Sequence, residues 1–179
     1  MTALYIIAGI AVLLLICWIA LRNSVAKAEV KVGEAESGID VALTKRYDAL
    51  TKMLNVTKGY AKHEAETLEN VVRLRGAMTM PEKIKANAGM DEMLRQINIL
   101  REEYPDLKAS ENFRQLQAAV MDAEEHLQAA RRVYNANVTL YNNKLVTFPS
   151  NIVAKGMGKA RREFFEADAA KRADVKMEF

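Results

Sequence analysis

The residues that decide the fold are 113–141, FRQLQAAVMDAEEHLQAARRVYNANVTLY. Apolar or aromatic side chains recur there every seven residues, at Phe113, Val120, Leu127, Tyr134 and Tyr141, and an adjacent row runs through Leu116, Ala123 and Ala130. Five successive matches to a seven-residue repeat predict an apolar stripe along a helix that faces a core. We expect this helix to begin at Ser110 and end near Leu145, since no proline or glycine interrupts it.

Helix-breaking residues stand on both sides of this stretch. On the N-terminal side, Thr79-Met80-Pro81-Glu82 has a capping Thr, an early Pro and a Glu three residues after the cap. It predicts the start of a shorter helix, which Tyr104-Pro105-Asp106 ends. On the C-terminal side, Phe148-Pro149-Ser150 interrupts the pattern, and Ser150 is placed to cap a last helix over residues 151–172.

The chain before Thr79 predicts another long helix, over residues 25–78, where no proline occurs. Its first half has apolar residues spaced by seven, with an alanine three residues after each: Val25, Ala28, Val32, Ala35, Ile39 and Ala42. Small residues in one register suit close approach of a second helix, so these six form a candidate self-association seam. The strict repeat fails at Arg46, and no strand-like alternation is present. The predicted fold class is therefore all-α, an antiparallel helical bundle with long helices.

Residues 4–21, LYIIAGIAVLLLICWIAL, carry no charge. The run begins at Leu4 and ends at Leu21, and as a helix it would be about 27 Å long, enough to cross the hydrocarbon core of a bilayer. A buried core helix and a cleaved signal peptide are the alternatives. The first is seldom apolar on every face, and the second is disfavoured because no Lys or Arg precedes the run and no small-x-small cleavage site follows it. The sequence predicts a single transmembrane anchor over residues 1–22, a bundle over 23–172 and a tail over 173–179.

Positive charge flanks only one end of this span. Arg22, Lys27 and Lys31 follow it, whereas the amino terminus is the only positive group before it. The positive-inside rule then places the amino terminus outside and the helical domain in the cytoplasm. Trp18, near the end of the span, suits the membrane interface. The lipid bilayer is therefore the first partner that the sequence predicts.

The composition excludes several other classes of protein. Half of the 179 residues are hydrophobic and the net charge is only +3, which argues against a disordered chain. The single cysteine, Cys17, excludes an internal disulfide framework and a cysteine-based zinc site. The basic pairs Arg131-Arg132 and Arg161-Arg162 are diluted by acidic residues and lack interleaved aromatics, so we expect no nucleic-acid partner.

No pattern of catalytic residues stands out. His63-Glu64 resembles the start of a metalloprotease helix, but the second His would stand at position 67, which is Thr. His63, Glu64 and the Glu125-His126 pair are interpreted as exposed helix residues, and Gly156-Met157-Gly158 lacks the context of a phosphate-binding loop. We expect no catalytic residue, no metal and no cofactor.

Glu124 and Arg131 are the polar residues that lie closest to the apolar stripe. They stand seven residues apart, on the helix face that carries Val138 and Leu145. Half-buried ionic residues of this kind can fix the register of neighbouring helices. A polar patch that binds a partner is the alternative interpretation.

One set of motifs extends over nearly the whole chain. It starts with Leu21-Arg22-Asn23 after the span and ends with Glu163-Phe164-Phe165-Glu166. Members between them include Arg46-Tyr47, Lys58-Gly59-Tyr60, His63-Glu64, Glu124, Arg131, Tyr134-Asn135, Tyr141-Asn142 and Phe148-Pro149-Ser150-Asn151. Together they resemble the LemA family, a bacterial group with an amino-terminal span and a helical domain. Two departures are Glu36, where the family usually has tryptophan, and Thr51, where it has proline. The missing proline favours a continuous first helix.

The resemblance implies a helical bundle attached to the bacterial inner membrane, with no established enzyme activity. One branch is similar to proteins needed for building magnetosome membranes. The function we expect is a non-catalytic scaffold that self-assembles as a homo-oligomer and organises membrane or partner proteins. The alternative is an adaptor or sensor that binds a membrane protease or signalling partner through the bundle face. If the seam joins chains, Val32→Asp should weaken assembly more than it destabilises the bundle.

Overall fold

A computed structural model describes residues 1–60 and 78–166 of the chain. This part of the chain contains five α-helices and no β-strand. The helices are α1 (Thr2–Lys58), α2 (Met80–Glu103), α3 (Pro105–Ala109), α4 (Glu111–Val146) and α5 (Ser150–Gly156). The predicted all-α fold with long helices is confirmed.

The membrane-span candidate and the first bundle helix are one helix. α1 has 57 residues and would be about 85 Å long. Thr51 lies inside it, so the absence of a proline there does leave the helix unbroken. α1 ends at Lys58, earlier than the predicted end at residue 78, and a turn at Gly59 follows in which the Gly59 N–H donates to the Val56 carbonyl at 3.1 Å. Residues 61–77 lie outside the described part of the chain.

The predicted boundaries of the two middle helices are confirmed. Thr79 caps α2, and the Glu82 carboxylate accepts hydrogen bonds from the Thr79 backbone N–H and hydroxyl, each at 2.7 Å. This is the reciprocal half of a capping box. α2 ends before Tyr104-Pro105, and α4 covers the predicted range to within a residue at each end.

The contacts of the chain divide into two compact units. The first unit contains residues 1–37 and 133–164. Its core consists of Val25, Ala28, Val32, Ala35, Tyr134, Val138, Tyr141, Val153 and Ala154. Here α1 and α4 run antiparallel, because Lys144 donates to Ser24 while Tyr134, ten residues earlier on α4, lies near Glu36.

The second unit contains residues 38–132 and continues from Phe165. Its largest buried apolar side chains are Ile39, Leu43, Leu50, Met53, Met90, Ile97, Leu107, Phe113 and Phe165. α1 and α2 run parallel here, because Asp40 pairs with Lys83 and Arg46 pairs with Asp91 in the same order along both helices. All five residues of the repeat on α4 are buried, three of them in this unit.

The last helix is much shorter than predicted. The sequence predicts a helix over residues 151–172, but α5 ends at Gly156 and residues 159–166 are not helical. Gly158 has φ +64, a backbone conformation that ends helices and favours glycine, and the Lys159 N–H closes the turn by donating to the Ala154 carbonyl at 3.1 Å. The predicted tail, 173–179, lies outside the described residues.

Candidate functional site

The apolar start of α1 is the most exposed hydrophobic surface of the described chain. Residues 4–21 lie in a helix long and apolar enough to cross a membrane, and none of the most apolar window is buried. This exposure excludes the alternative of a buried core helix, because a core helix has its side chains covered. Trp18 lies at the end of this segment, and a Cβ placed on Gly156 would stand 3.8 Å from its indole.

The predicted self-association seam is covered within one chain. Val25, Ala28, Val32, Ala35, Ile39 and Ala42 are each at most 8 % exposed. Side chains already buried inside a chain offer no surface to a second copy unless the helix leaves its own bundle. A role of the seam between chains therefore stays a prediction, and the observed burial assigns these residues to the core of the single chain.

Arg46 is the largest fully buried side chain among the described residues, with a side chain 2 % exposed. Its Nη2 lies 2.6 Å from Asp91 Oδ1 and 2.9 Å from Glu124 Oε2, and its Nη1 donates to Asn87 Oδ1. The guanidinium thus joins α1, α2 and α4. A buried cation is tolerated only when it is paired and hydrogen-bonded, as it is here.

This Arg46 cluster constrains how the three helices align along their axes. A shift of one helix by one residue would move its carboxylate by about 1.5 Å and break a short contact. Lys83, whose side chain is 4 % exposed, makes a second contact of this kind with Asp40 at 2.7 Å. By contrast, Lys45 pairs with Asp122 at 2.6 Å on the surface, where the lysine hydrogen bond lowers the pKa of Asp122.

Glu124 and Arg131 have different partners. Glu124 pairs with Arg46, whereas the Arg131 guanidinium lies 5.0 Å from the centre of the Phe165 ring in a cation–π contact. Both side chains are half-buried. Their contacts support the interpretation that they fix helix packing.

Polar groups of α4 hold the non-helical chain after α5. We call residues 159–163 the C-terminal strap. The Tyr134 hydroxyl donates to the Glu163 carbonyl at 2.8 Å, and the Tyr141 hydroxyl donates to the Ala160 carbonyl at 3.1 Å. Asn142 donates to the Arg162 carbonyl at 2.9 Å and accepts from the Arg162 N–H at 3.0 Å.

The strap is also held by charge. Lys159 pairs with Glu29 on α1 at 2.6 Å. Burial, reinforced by nearby Glu36, raises the pKa of Tyr134 to about 12, so its phenol remains a hydrogen-bond donor at alkaline as well as neutral pH. Side chains of α4 therefore bind strap carbonyls that would otherwise accept helical hydrogen bonds, which explains why the last helix stops early.

Removing the two phenols should release the strap to a protease. In Tyr134→Phe/Tyr141→Phe, the loss of two hydrogen bonds of about 1 kcal/mol each should raise the detached fraction about 30-fold. We expect trypsin to cleave at Arg161 and Arg162 faster by a similar factor, as measured by mass spectrometry of the full chain. Thr139→Val is the control, because its hydroxyl bonds only to Asn135 within α4. Equal cleavage of all three proteins would show that the phenols do not hold the strap.

Most of the remaining motif residues in the described chain lie at the ends of helices. Lys58, Gly59 and Tyr60 lie at the C-terminus of α1, and the exposed Phe148 and Pro149 lie between α4 and α5, followed by the half-buried Asn151. Tyr47 and Asn135 are half-buried, next in sequence to Arg46 and Tyr134. His63 and Glu64 lie outside the described residues.

The described residues contain no group of three or more His, Cys, Asp or Glu side chains that could hold a metal ion. A shallow hollow on α4, open to solvent, is lined by Glu124, Glu125, His126, Gln128, Ala129 and Arg132. His126 Nδ1 lies 2.7 Å from the carbonyl of Asp122 in its own helix. The expected absence of catalytic residues and cofactors stays a prediction.

The sequence did not identify the α2 half of the Arg46 cluster. Lys83, Asn87 and Asp91 recur every four residues, which places them on one helix face. A polar row on one face is usually solvated, so this spacing alone gave no reason to expect burial. The failure of the α1 repeat at Arg46 is the signal that was available, but two of the partners of Arg46 lie 41 and 45 residues away.

Comparison with known proteins identifies proteins that are similar in sequence. The chain is 29% identical over 165 residues to Protein LemA of Metamycoplasma hominis, covering 88% of this chain and 74% of that protein. It is 25% identical over 85 residues to Magnetosome protein MamQ 2 of Paramagnetospirillum magneticum and 24% identical to Magnetosome protein MamQ of Magnetospirillum gryphiswaldense. These two matches cover 48% of this chain and 31% of each magnetosome protein.

A family model extends the similarity through the bundle. The model of the LemA family matches residues 35–179, which include Arg46, its partners and the strap. This range leaves out the apolar segment 4–21 and the first part of the seam. By this match over most of its length, the chain belongs to the LemA family.

Proposed function

We propose that this protein is a membrane-anchored, non-catalytic helical scaffold that self-assembles and organises membrane or partner proteins. The observation that carries the proposal is the continuity of α1. One helix holds both the exposed apolar segment and buried core residues such as Val32, with no loop between them. A bundle joined to its anchor in this way is held at a defined position relative to the membrane, as a scaffold requires.

The proposed location is the bacterial inner membrane, with the amino terminus outside and the bundle in the cytoplasm. Arg22, Lys27 and Lys31 follow the span and support this orientation. The partial similarity to magnetosome proteins supports a role in organising membrane. Because those matches cover only about a third of the magnetosome proteins, this role is part of the proposal.

The surface proposed for contact between copies lies on α4. Val133 and Leu140 stand seven residues apart on one face of the helix, and they are 56 % and 59 % exposed. The seam predicted on α1 is already covered in the single chain. The exposed stripe formed by Val133 and Leu140 is therefore the apolar surface that a second copy would bury. Two copies of the stripe facing each other would form a symmetric contact.

Charges placed on this stripe should disrupt assembly. We expect full-length protein in lipid nanodiscs to form amine-crosslinked dimers or larger species, and Val133→Glu/Leu140→Glu to weaken the association about tenfold because each copy would bury charge. Circular dichroism should remain unchanged, since both side chains are exposed.

Met121→Glu is the matched control. Met121 is exposed on the same helix but points about a third of a turn away from the stripe. It should assemble like the wild type. Wild-type protein that remains a strict monomer at micromolar concentration would contradict self-assembly.

The alternative function is an adaptor that binds a protease or signalling partner. The polar hollow on α4 around His126 is the observation that favours it, because it offers charged groups of both signs on an open surface. Crosslinking in cells separates the two functions. Self-contacts should dominate for a scaffold, and one unrelated protein should dominate for an adaptor.

A further inference from the structure

The corner between α4 and α5 exposes apolar side chains. Phe148 is 75 % exposed, and Val146 and Ile152 are about half exposed. These three residues lie within seven positions of one another around the turn at Pro149. An apolar group concentrated at one corner of a folded unit indicates a contact surface.

The position of this corner relative to the anchor is defined within the first unit. Lys144 Nζ lies 2.7 Å from Ser24 Oγ, and Gly156 lies beside Trp18. Since α4 runs antiparallel to α1, the residues after Lys144 continue toward the amino terminus of α1. The corner is therefore at the level of residues 18–24 of α1, where the uncharged segment ends at Leu21 and Arg22 begins the charged chain.

We propose that the α4–α5 corner inserts Val146, Phe148 and Ile152 into the interfacial layer of the same bilayer leaflet in which the anchor ends. This rests on the proposed membrane anchoring of residues 4–21. The anchor fixes where the bilayer surface lies, and the corner is at that depth beside it. Because the corner lies beside the end of the span, the partner that covers it is the lipid surface.

The charges around the corner fit this occupant. Lys155 on α5 and Arg22 on α1 are exposed near the apolar group. Lysine and arginine next to inserted apolar side chains are the usual pattern of interfacial segments, because the cations lie among lipid headgroups while the apolar groups reach the acyl chains. The first unit would then be held to the membrane at two points, which restricts how it tilts on the anchor.

The test uses single tryptophans in the full-length chain, which has one tryptophan, Trp18. Trp18→Phe/Phe148→Trp is reconstituted in vesicles of phosphatidylcholine and phosphatidylglycerol, with and without phosphatidylcholine brominated near the top of its acyl chains. We expect a blue-shifted emission and at least about twofold quenching by the bromolipid. Trp18→Phe/Ile152→Trp should behave in the same way.

Trp18→Phe/Met121→Trp is the matched control, because position 121 is exposed on α4, outside the proposed contact between copies, and about 37 Å from residue 146 along the helix. It should be neither shifted nor quenched. The wild-type protein separates the two proposals. If Trp18 is not quenched, the anchor itself is not in the bilayer. If Trp18 is quenched while tryptophans at 148 and 152 match the control, the anchor lies in the bilayer but the corner does not insert, and the proposal is overturned.

Discussion

Arg46→Met should destabilise the protein by about 3 kcal/mol and lower its melting temperature by about 10 °C. Methionine nearly fills the space of the arginine but cannot pair with Asp91 and Glu124, which would remain close together without their cation. Removing one partner of a buried ion cluster is strongly unfavourable for this reason. The measurement is thermal unfolding of full-length protein in detergent, followed by circular dichroism.

The adjacent residue provides the control. Lys45 also pairs across to α4, but its side chain and that of Asp122 are 47% and 54% exposed. Exposed ion pairs contribute little, so Lys45→Met should change stability by less than about 1 kcal/mol. Adding Asp91→Asn and Glu124→Gln to Arg46→Met should recover part of the loss, because it removes the repulsion between uncompensated carboxylates. Equal effects of Arg46→Met and Lys45→Met would mean that burial does not determine the contribution of Arg46.

Val32→Asp should unfold much of the first unit, with a loss of about 4 kcal/mol. Val32 is 1 % exposed, and an unpaired carboxylate in its place would lie in the apolar core between α1 and α4. This expectation differs from the one based on the repeat alone, which assigned Val32 to a contact between chains. The change follows from the burial of the seam inside a single chain.

Val30→Asp is the matched control, two positions away on the same helix with 59 % of the side chain exposed. It should leave the melting temperature within about 2 °C of the wild type. Thermal unfolding and crosslinking of both variants give the decisive comparison. A Val32→Asp protein that keeps its melting temperature but no longer forms dimers would restore the seam as an interface between chains.

Local chemistry explains which elements could be predicted. The capping box at Thr79 and Glu82, the break at Pro105 and the repeat from Phe113 to Tyr141 each act within a few residues. The corresponding boundaries of α2 and α4 are confirmed. The uncharged run from Leu4 was identified for the same reason, because its length and apolarity are properties of a continuous stretch.

The last helix shows where local reasoning failed. Ser150 and the charged residues after it favour a helix, but the strap accepts hydrogen bonds from Tyr134, Tyr141 and Asn142 instead. These residues lie about 20 to 30 positions earlier in the chain. A competing interaction at that distance leaves no mark on the local pattern.

The heptad spacing of Val25, Val32 and Ile39 indicated that this face of α1 is covered. It did not indicate whether the covering helix belongs to the same chain or to a second copy. A repeat records only that one face avoids water, and a helix of the same chain satisfies it as well as a second copy does. The order of the residues thus predicted the long helices, the uncharged segment and the apolar faces. The pairing of those faces arose only when the helices packed together. The burial of Arg46 has the same origin, because its carboxylate partners Asp91 and Glu124 lie 45 and 78 residues away in the chain.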